Sequence, residues 1–353
     1  MPHERSQTSA EASRRRVVVI TGASAGVGRA TAVAFARRGW SVALLARGLK
    51  GLEDAKREVE QAGGTGLVLP VDVADPDMVA AAGDRVVAAW GGIDVWVNNA
   101  MATIFAPVER ITPSEFKRVT EVTYLGQVHG TLAALKHMRR QGAGTIVQVG
   151  SALAYRSIPL QSAYCAAKAA ARGFTDSLRS ELIHESSPIR LTMVHLPAVN
   201  TPQFDWARSR LPRRLQPVPP IHDPGVAAEA IVRAAREAPR ELWVGTPTIK
   251  AILGTMAAPG LLDRLMARRA WDGQMTPDPA EPRTDNLFDP VDGKANLHGR
   301  FAPVSKPGAI TASDSLVRGV AGAVAVSMVA AAIGLVRHRS SKKASPTEED
   351  PVE

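Results

Sequence analysis

Cysteine is almost absent: Cys165 stands alone in 353 residues, which excludes an intramolecular disulfide. The eight histidines are scattered and no Cys pair exists, so no metal centre is expected. Aromatic residues make up only 5%, and none interleaves with basic residues as in a nucleic-acid stacking platform. The formal charge of +9 therefore points to small phosphate-bearing molecules or anionic lipid, and no nucleic-acid partner is expected. Residues 1–15 are polar and contain no apolar run, so no secretory signal is expected and the chain should be cytoplasmic.

What the sequence does contain is alternation. Short apolar runs at 17–21, 41–46, 66–70, 95–98, 144–150, 190–196 and 242–244 are separated by helical patterns of roughly 10 to 15 residues. That order predicts an α/β fold, a doubly wound parallel sheet of about seven strands with helices on both faces and right-handed crossovers. Between the first run and the helix from Arg29 to Arg38 lies Thr21-Gly22-Ala23-Ser24-Ala25-Gly26-Val27-Gly28. Glycines at a strand-to-helix turn let the backbone approach a pyrophosphate, which the helix N-terminus stabilises, so Gly22, Ser24, Gly26, Val27 and Gly28 are candidate cofactor contacts.

Tyr164 and Lys168 lie four residues apart in the helix-forming stretch 162–171, which stacks them on one face. A phenol ionises near ~10, and a neighbouring ammonium favours its charged form, bringing it closer to a pH where it can exchange a proton with a substrate oxygen. Ser151, thirteen residues before Tyr164, could bind the same oxygen. Cys165, between the two, is expected to be a small packed residue and not a nucleophile.

Together these motifs resemble the short-chain dehydrogenase/reductase family, from the glycine turn to about Gly245, and the Thr-Gly-x-x-x-Gly-x-Gly spacing is similar to that of its single-domain branch. The resemblance implies a Rossmann-type fold and catalytic roles for Ser151, Tyr164 and Lys168, with Lys168 also holding the nicotinamide ribose. It further implies that Asp72 and Val73 meet the adenine, that Asn99 lies beside its ribose, and that Pro197, Val199 and Thr201 follow the sixth strand in the cofactor site. After the second strand an NAD enzyme would carry an acid for the ribose 2′-hydroxyl. Here Arg47 follows and no acid occurs until Glu53, so NADP(H) is favoured over NAD(H). The alternative is that Arg47 is a solvated loop residue.

Three positions depart from the family pattern. Met101 replaces the glycine of Asn-Asn-Ala-Gly, Ala198 follows Pro197 in place of glycine, and Thr123 stands where the family has a fourth catalytic residue, an asparagine supporting a water. A main-chain carbonyl could hold that water whatever the side chain, so Thr123 remains a candidate catalytic position. Between Thr201 and Asp223 the family covers its substrate, and Phe204, Trp206, Leu211 and Leu215 are expected to form an apolar wall.

The domain expectation is a disordered tail over 1–15, the catalytic domain over 16–275, a Pro/Asp-rich linker over 276–315 packing through Phe288 and Phe301, a hydrophobic helix over 316–338 and a charged tail over 339–353. The uncharged run 319–336 is about 27 Å long as a helix, but it contains six alanines and three glycines, and a crossing would set four Lys/Arg residues outside. A membrane anchor, an interfacial helix and a buried or helix-pairing segment all stay open. Two functional readings follow. One is an NADP-dependent enzyme transferring hydride to or from a carbonyl or secondary alcohol of an apolar small-molecule substrate, working as a homo-oligomer. The other is a non-catalytic, membrane-associated NADP(H)-binding scaffold or sensor.

Overall fold

Valines and isoleucine fill the first strand because both of its faces are covered. A computed structural model describes residues 15–291, 293, 295–324, 326, 327 and 333. Its first half runs β1 (Val17–Thr21), α1 (Gly26–Ala36), β2 (Ser41–Ala46), α2 (Leu49–Gln61), β3 (Thr65–Pro70), α3 (Pro76–Trp90) and β4 (Val95–Asn98). A short strand β5 (Ile104–Phe105) leads to α4 (Pro113–Thr120), a π turn (Glu121–Leu125), α5 (Gly126–Gln141), β6 (Gly144–Ser151), α6 (Ser162–His184) and β7 (Ile189–Leu196). The rest comprises α7 (Gln203–Trp206), β8 (Arg208–Ser209), β9 (Arg213–Leu215), α8 (Pro224–Glu237), β10 (Glu241–Val244), α9 (Thr246–Ala257), α10 (Pro259–Arg269), β11 (Met275–Pro279) and β12 (Thr311–Ser313).

The main sheet has the order β12-β10-β7-β6-β4-β1-β2-β3. All its pairings are parallel except β10 with β12. This is a Rossmann-type doubly wound sheet, and its order reverses beside β1, where such sheets leave a crevice at their C-terminal edge. Alternate residues of β1 serve opposite layers. Val17 and Val19 pack with Val79 and Val86 of α3 and Met138 of α5, whereas Val18 and Ile20 pack with Phe35 of α1, Leu52 of α2 and Ile231 of α8. Each such fully buried aliphatic chain contributes about 1.5–3 kcal/mol, which is why the run is unbroken by polar residues.

The seven expected strands are all present, with ends within a residue of those read from the pattern. The stretch 276–315 is not a linker. It completes β11 against β9 and adds β12 as an eighth, antiparallel edge strand. Its buried anchor is Leu287, fully inaccessible, together with Phe301, whereas Phe288 stays 42% exposed under the Arg208 guanidinium. Composition misled here because proline and aspartate mark turns without saying whether the segment between them packs.

The chain is helical again from Asp314 to Val324. No helix among the described residues is long and apolar enough to cross a membrane. Residues 1–14, much of 319–336 and the charged tail 339–353 lie outside the described residues.

Candidate active site

The glycine turn between β1 and α1 is held in shape by backbone that only glycine permits. Gly22 has φ +68°, and a side chain there would stand 2.9 Å from Ala100 Cα. A methyl on Gly28 would lie 2.2 Å from the Gly22 carbonyl oxygen. Thr21 Oγ1 accepts the amides of Asn99 and Ala100, and Asn99 Nδ2 donates to the Thr21 carbonyl, so the turn is pinned to the end of β4. Asp75, Thr112 and Asp223 cap α3, α4 and α8, but α1 starts at Ala25 with no side-chain cap.

One cavity of about 690 Å³ runs from this turn across the sheet edge. Gly22, Ser24, Gly26 and Val27 line one part, and Ser151, Tyr164 and Lys168 line another. Gly28 supports the turn from behind without reaching the cavity. Ser151 ends β6 and caps the turn Ala152–Ala154, its Oγ accepting the Leu153 amide at 3.1 Å. Lys168 is 2% exposed, its Nζ donating to the Val149 carbonyl at 2.7 Å and lying 5.7 Å from the centre of the Tyr164 ring.

Burial dominates the acid–base character of this pair. Tyr164 is raised above the ordinary phenol range by desolvation, with only partial relief from a hydrogen bond to Ser151. Desolvation also pushes Lys168 down to about 7. The expectation that the ammonium lowers the phenol is not met: desolvation of Tyr164, half-buried at the cavity wall, is the largest influence on it and raises it. Cys165 is buried and its thiol is pushed up by the same effect.

At the other end of the cavity lie Arg47, Asp72, Val73 and Asn99, with Pro197, Val199 and Thr201 on the facing loop. Arg47 is no solvated loop residue. Its guanidinium donates to the carbonyls of Asn286 and Phe288, and desolvation with the nearby Arg118 charge lowers its pKa. Arg118 donates to the Leu287 carbonyl and pairs with Asp72, whose other oxygen accepts the Ala74 amide. The segment 286–296 therefore forms a strap along the cavity, with Asn286, Pro290, Val291 and Ala295 among its lining. The strap's Asn296 carbonyl accepts the Gly26 amide, and its Ala295 carbonyl accepts from Arg29. Nothing in the sequence motifs pointed to it, although the isolated leucine in Asn286-Leu287-Phe288 was the available signal.

Phe204 and Trp206 line the cavity as expected, but Leu211 and Leu215 do not. These two turn inward to a satellite core with Phe105, Ile221, Met275 and Phe301. The wall is completed by Val218, Ala251, Leu265 and Met266, the last three from α9 and α10. Both helices begin at prolines in their first turn, Pro247 and Pro259, a start signal the motif-based reading passed over. Thr123 sits in the π turn, fully buried and outside the cavity lining. Its Oγ1 donates to the Ala102 carbonyl at 2.8 Å and accepts the Ala102 amide at 3.0 Å, stitching that turn to the loop after β4. Met101, from the same loop, reaches the cavity.

Comparison with known proteins agrees with this geometry. The sequence profile of the family described as short chain dehydrogenase matches residues 16–211. The uncharacterized oxidoreductase YxnA of Bacillus subtilis (strain 168) is 33% identical over 290 residues, covering 81% of this chain and 80% of its own. Dehydrogenase/reductase SDR family member 7B of Bos taurus is 31% identical over 269 residues, 73% of this chain and 82% of its own. An alcohol dehydrogenase from the archaeon Thermococcus sibiricus, solved with 5-hydroxy-NADP, is 31% identical with a TM-score of 0.56, covering 65% of this chain and 96% of that one. The chain belongs to the short-chain dehydrogenase/reductase family of oxidoreductases.

Proposed function

We propose that the protein is an NADP-dependent oxidoreductase that moves hydride between the nicotinamide and a carbonyl or secondary alcohol of a mostly apolar substrate. The observation that carries this reading is the meeting of Ser151, Tyr164 and Lys168 with the glycine turn in one cavity. The residues present suit a dinucleotide: α1 has no side-chain cap to compete with a pyrophosphate, and Gly22, Ser24 and Gly26 line the cavity at its start. When bound, the nicotinamide supplies or takes up hydride.

The remaining chemistry belongs to the side chains. Tyr164, kept protonated by burial, is in the form that reduction requires, and its Oη donates a proton to the substrate oxygen as negative charge develops there. Ser151 Oγ accepts from Leu153 and is hydrogen-bonded to Tyr164, and with substrate in place its proton can turn to the same oxygen. Lys168 gives one N–H to Val149, leaving the rest of its amine to reach the nicotinamide ribose hydroxyls. Asp72, Val73 and Asn99 would face the adenosine, with Val199 and Thr201 opposite.

Preference for NADP is supported by the lack of an acid after β2 and by Arg47 and Lys50 at that end of the cavity. The relative bound to 5-hydroxy-NADP agrees with it. Arg47 would serve through its charge and the N–H groups the strap carbonyls leave over. Pairing of two or more copies belongs to the same proposal.

The test is oxidation of NADPH by the purified protein with a panel of aldehydes, ketones and quinones, with NADH alongside. Turnover with kcat/KM at least about tenfold higher for NADPH is expected, equivalent to ~1.4 kcal/mol at the ribose phosphate. Equal use of NADH would remove the role given to Arg47 and Lys50. Tight binding with no turnover would favour the scaffold reading.

A further inference from the structure

Behind Ser151 lies a buried polar cluster that the proposed chemistry does not use. His195, on β7 and fully inaccessible, points one ring nitrogen, Nδ1, at the Ser151 carbonyl oxygen at 3.0 Å. Its other nitrogen, Nε2, lies 3.3 Å from Oε2 of Glu241, which is itself 2% exposed on β10. Glu241 also accepts from the Tyr155 hydroxyl and, at 2.7 Å, from Trp243 Nε1. Burial alone would raise the Glu241 pKa, but His195, Trp243 and Tyr155 bring it down to about 2, so the carboxylate is charged.

Nδ1 of His195 carries a proton toward the Ser151 carbonyl, which can only accept, and Nε2 faces the Glu241 carboxylate. Gly150 makes the approach feasible, since a side chain there would stand 2.8 Å from His195 Nδ1. The Tyr155 ring lies edge-on to His195, its ring centre 5.1 Å away. Other charges lie further out: Arg172 stacks on Tyr155, Asp314 accepts the Glu241 amide, and Arg240 and Arg318 pair with Asp314.

We propose that His195, held by Glu241, is a positioning residue for Ser151: it fixes the Ser151–Ala152 peptide plane and so the aim of the Ser151 hydroxyl into the cavity. Ser151 is then held at two points, its carbonyl by His195 and its Oγ by the Leu153 amide. The placement of one hydroxyl at the reacting oxygen depends on a buried histidine and carboxylate that never touch the substrate. This rests on the catalytic reading of Ser151 given above.

The test compares His195→Leu with His195→Asn, because the asparagine amide nitrogen can stand in for Nδ1 while leucine cannot. In the wild type, side-chain nitrogen NMR of His195 should show Nδ1 protonated at pH 7.5. The Ser151 carbonyl carbon shift should move in His195→Leu and return toward wild type in His195→Asn. With a turned-over carbonyl, His195→Leu should lose about 10- to 100-fold in kcat with the NADPH Kd unchanged, and His195→Asn should recover most of it. An unprotonated Nδ1, or a Ser151 shift alike in both variants, overturns the proposal even if no substrate is found. Equal kcat in the two variants overturns it where one is.

Discussion

Lys168 is buried and Tyr164 half-buried at the cavity wall, and desolvation moves their proton affinities in opposite directions, the phenol up and the ammonium down to about 7. The four-residue spacing that joins them is plain in the sequence, as is Ser151 before them. The direction of the Tyr164 shift is not, because it depends on how completely the fold excludes water, a tertiary property that no local spacing encodes. The lysine shift has a consequence for stability. Below about pH 7 Lys168 is charged in both folded and unfolded chains, and the full cost of burying that charge is present. Between about 7 and 10.5 only the unfolded chain keeps the proton, so the penalty fades and stability at this site rises with pH. Lys168→Met should therefore raise Tm on the order of a few degrees at pH 6 and progressively less toward pH 10, measured by calorimetry. A Tm difference that grows with pH would contradict the burial account.

Among the elements, the strap is the part the sequence concealed. Apolar periodicity marks strands and helices, but 286–296 has neither period, and its fully buried apolar anchor is the single side chain of Leu287. Once docked, its carbonyls satisfy Arg47 and Arg118, the two guanidiniums beside Asp72. Leu287→Asp puts a charge into an apolar core site and should release the strap. The expected result is NADPH affinity weakened about tenfold or more by fluorescence titration, with far-ultraviolet circular dichroism little changed; unchanged affinity would make the strap a bystander. The π turn teaches a related lesson. Thr123 was legible as a departure from the family pattern, yet its work in this structure is to bind both backbone groups of Ala102, a contact between segments twenty-one residues apart.

At the scale of the whole molecule, the parallel, doubly wound sheet followed from alternation, because parallel strands buried on both faces must read as unbroken apolar runs, whereas the strand order and the antiparallel edge strand came from the fold. The far wall of the cavity did not, since α9, α10 and the residues after 275 close over the sheet edge beyond the last motif. Apolar groups such as Phe204, Trp206, Val218, Leu265 and Met266, with Arg269, surround the proposed substrate end, whereas the proposed cofactor end holds Arg47 and Lys50 beside Asp54 and Asp72. That asymmetry fits an apolar carbonyl at one end and a phosphate at the other. The central claim is that Tyr164 moves the proton while the rest of the cavity binds. Its most direct test is Tyr164→Phe, measuring the NADPH Kd by fluorescence and kcat on the best carbonyl of the panel. The account predicts an unchanged Kd and a kcat about 10²- to 10⁴-fold lower; a variant that keeps substantial turnover would contradict it.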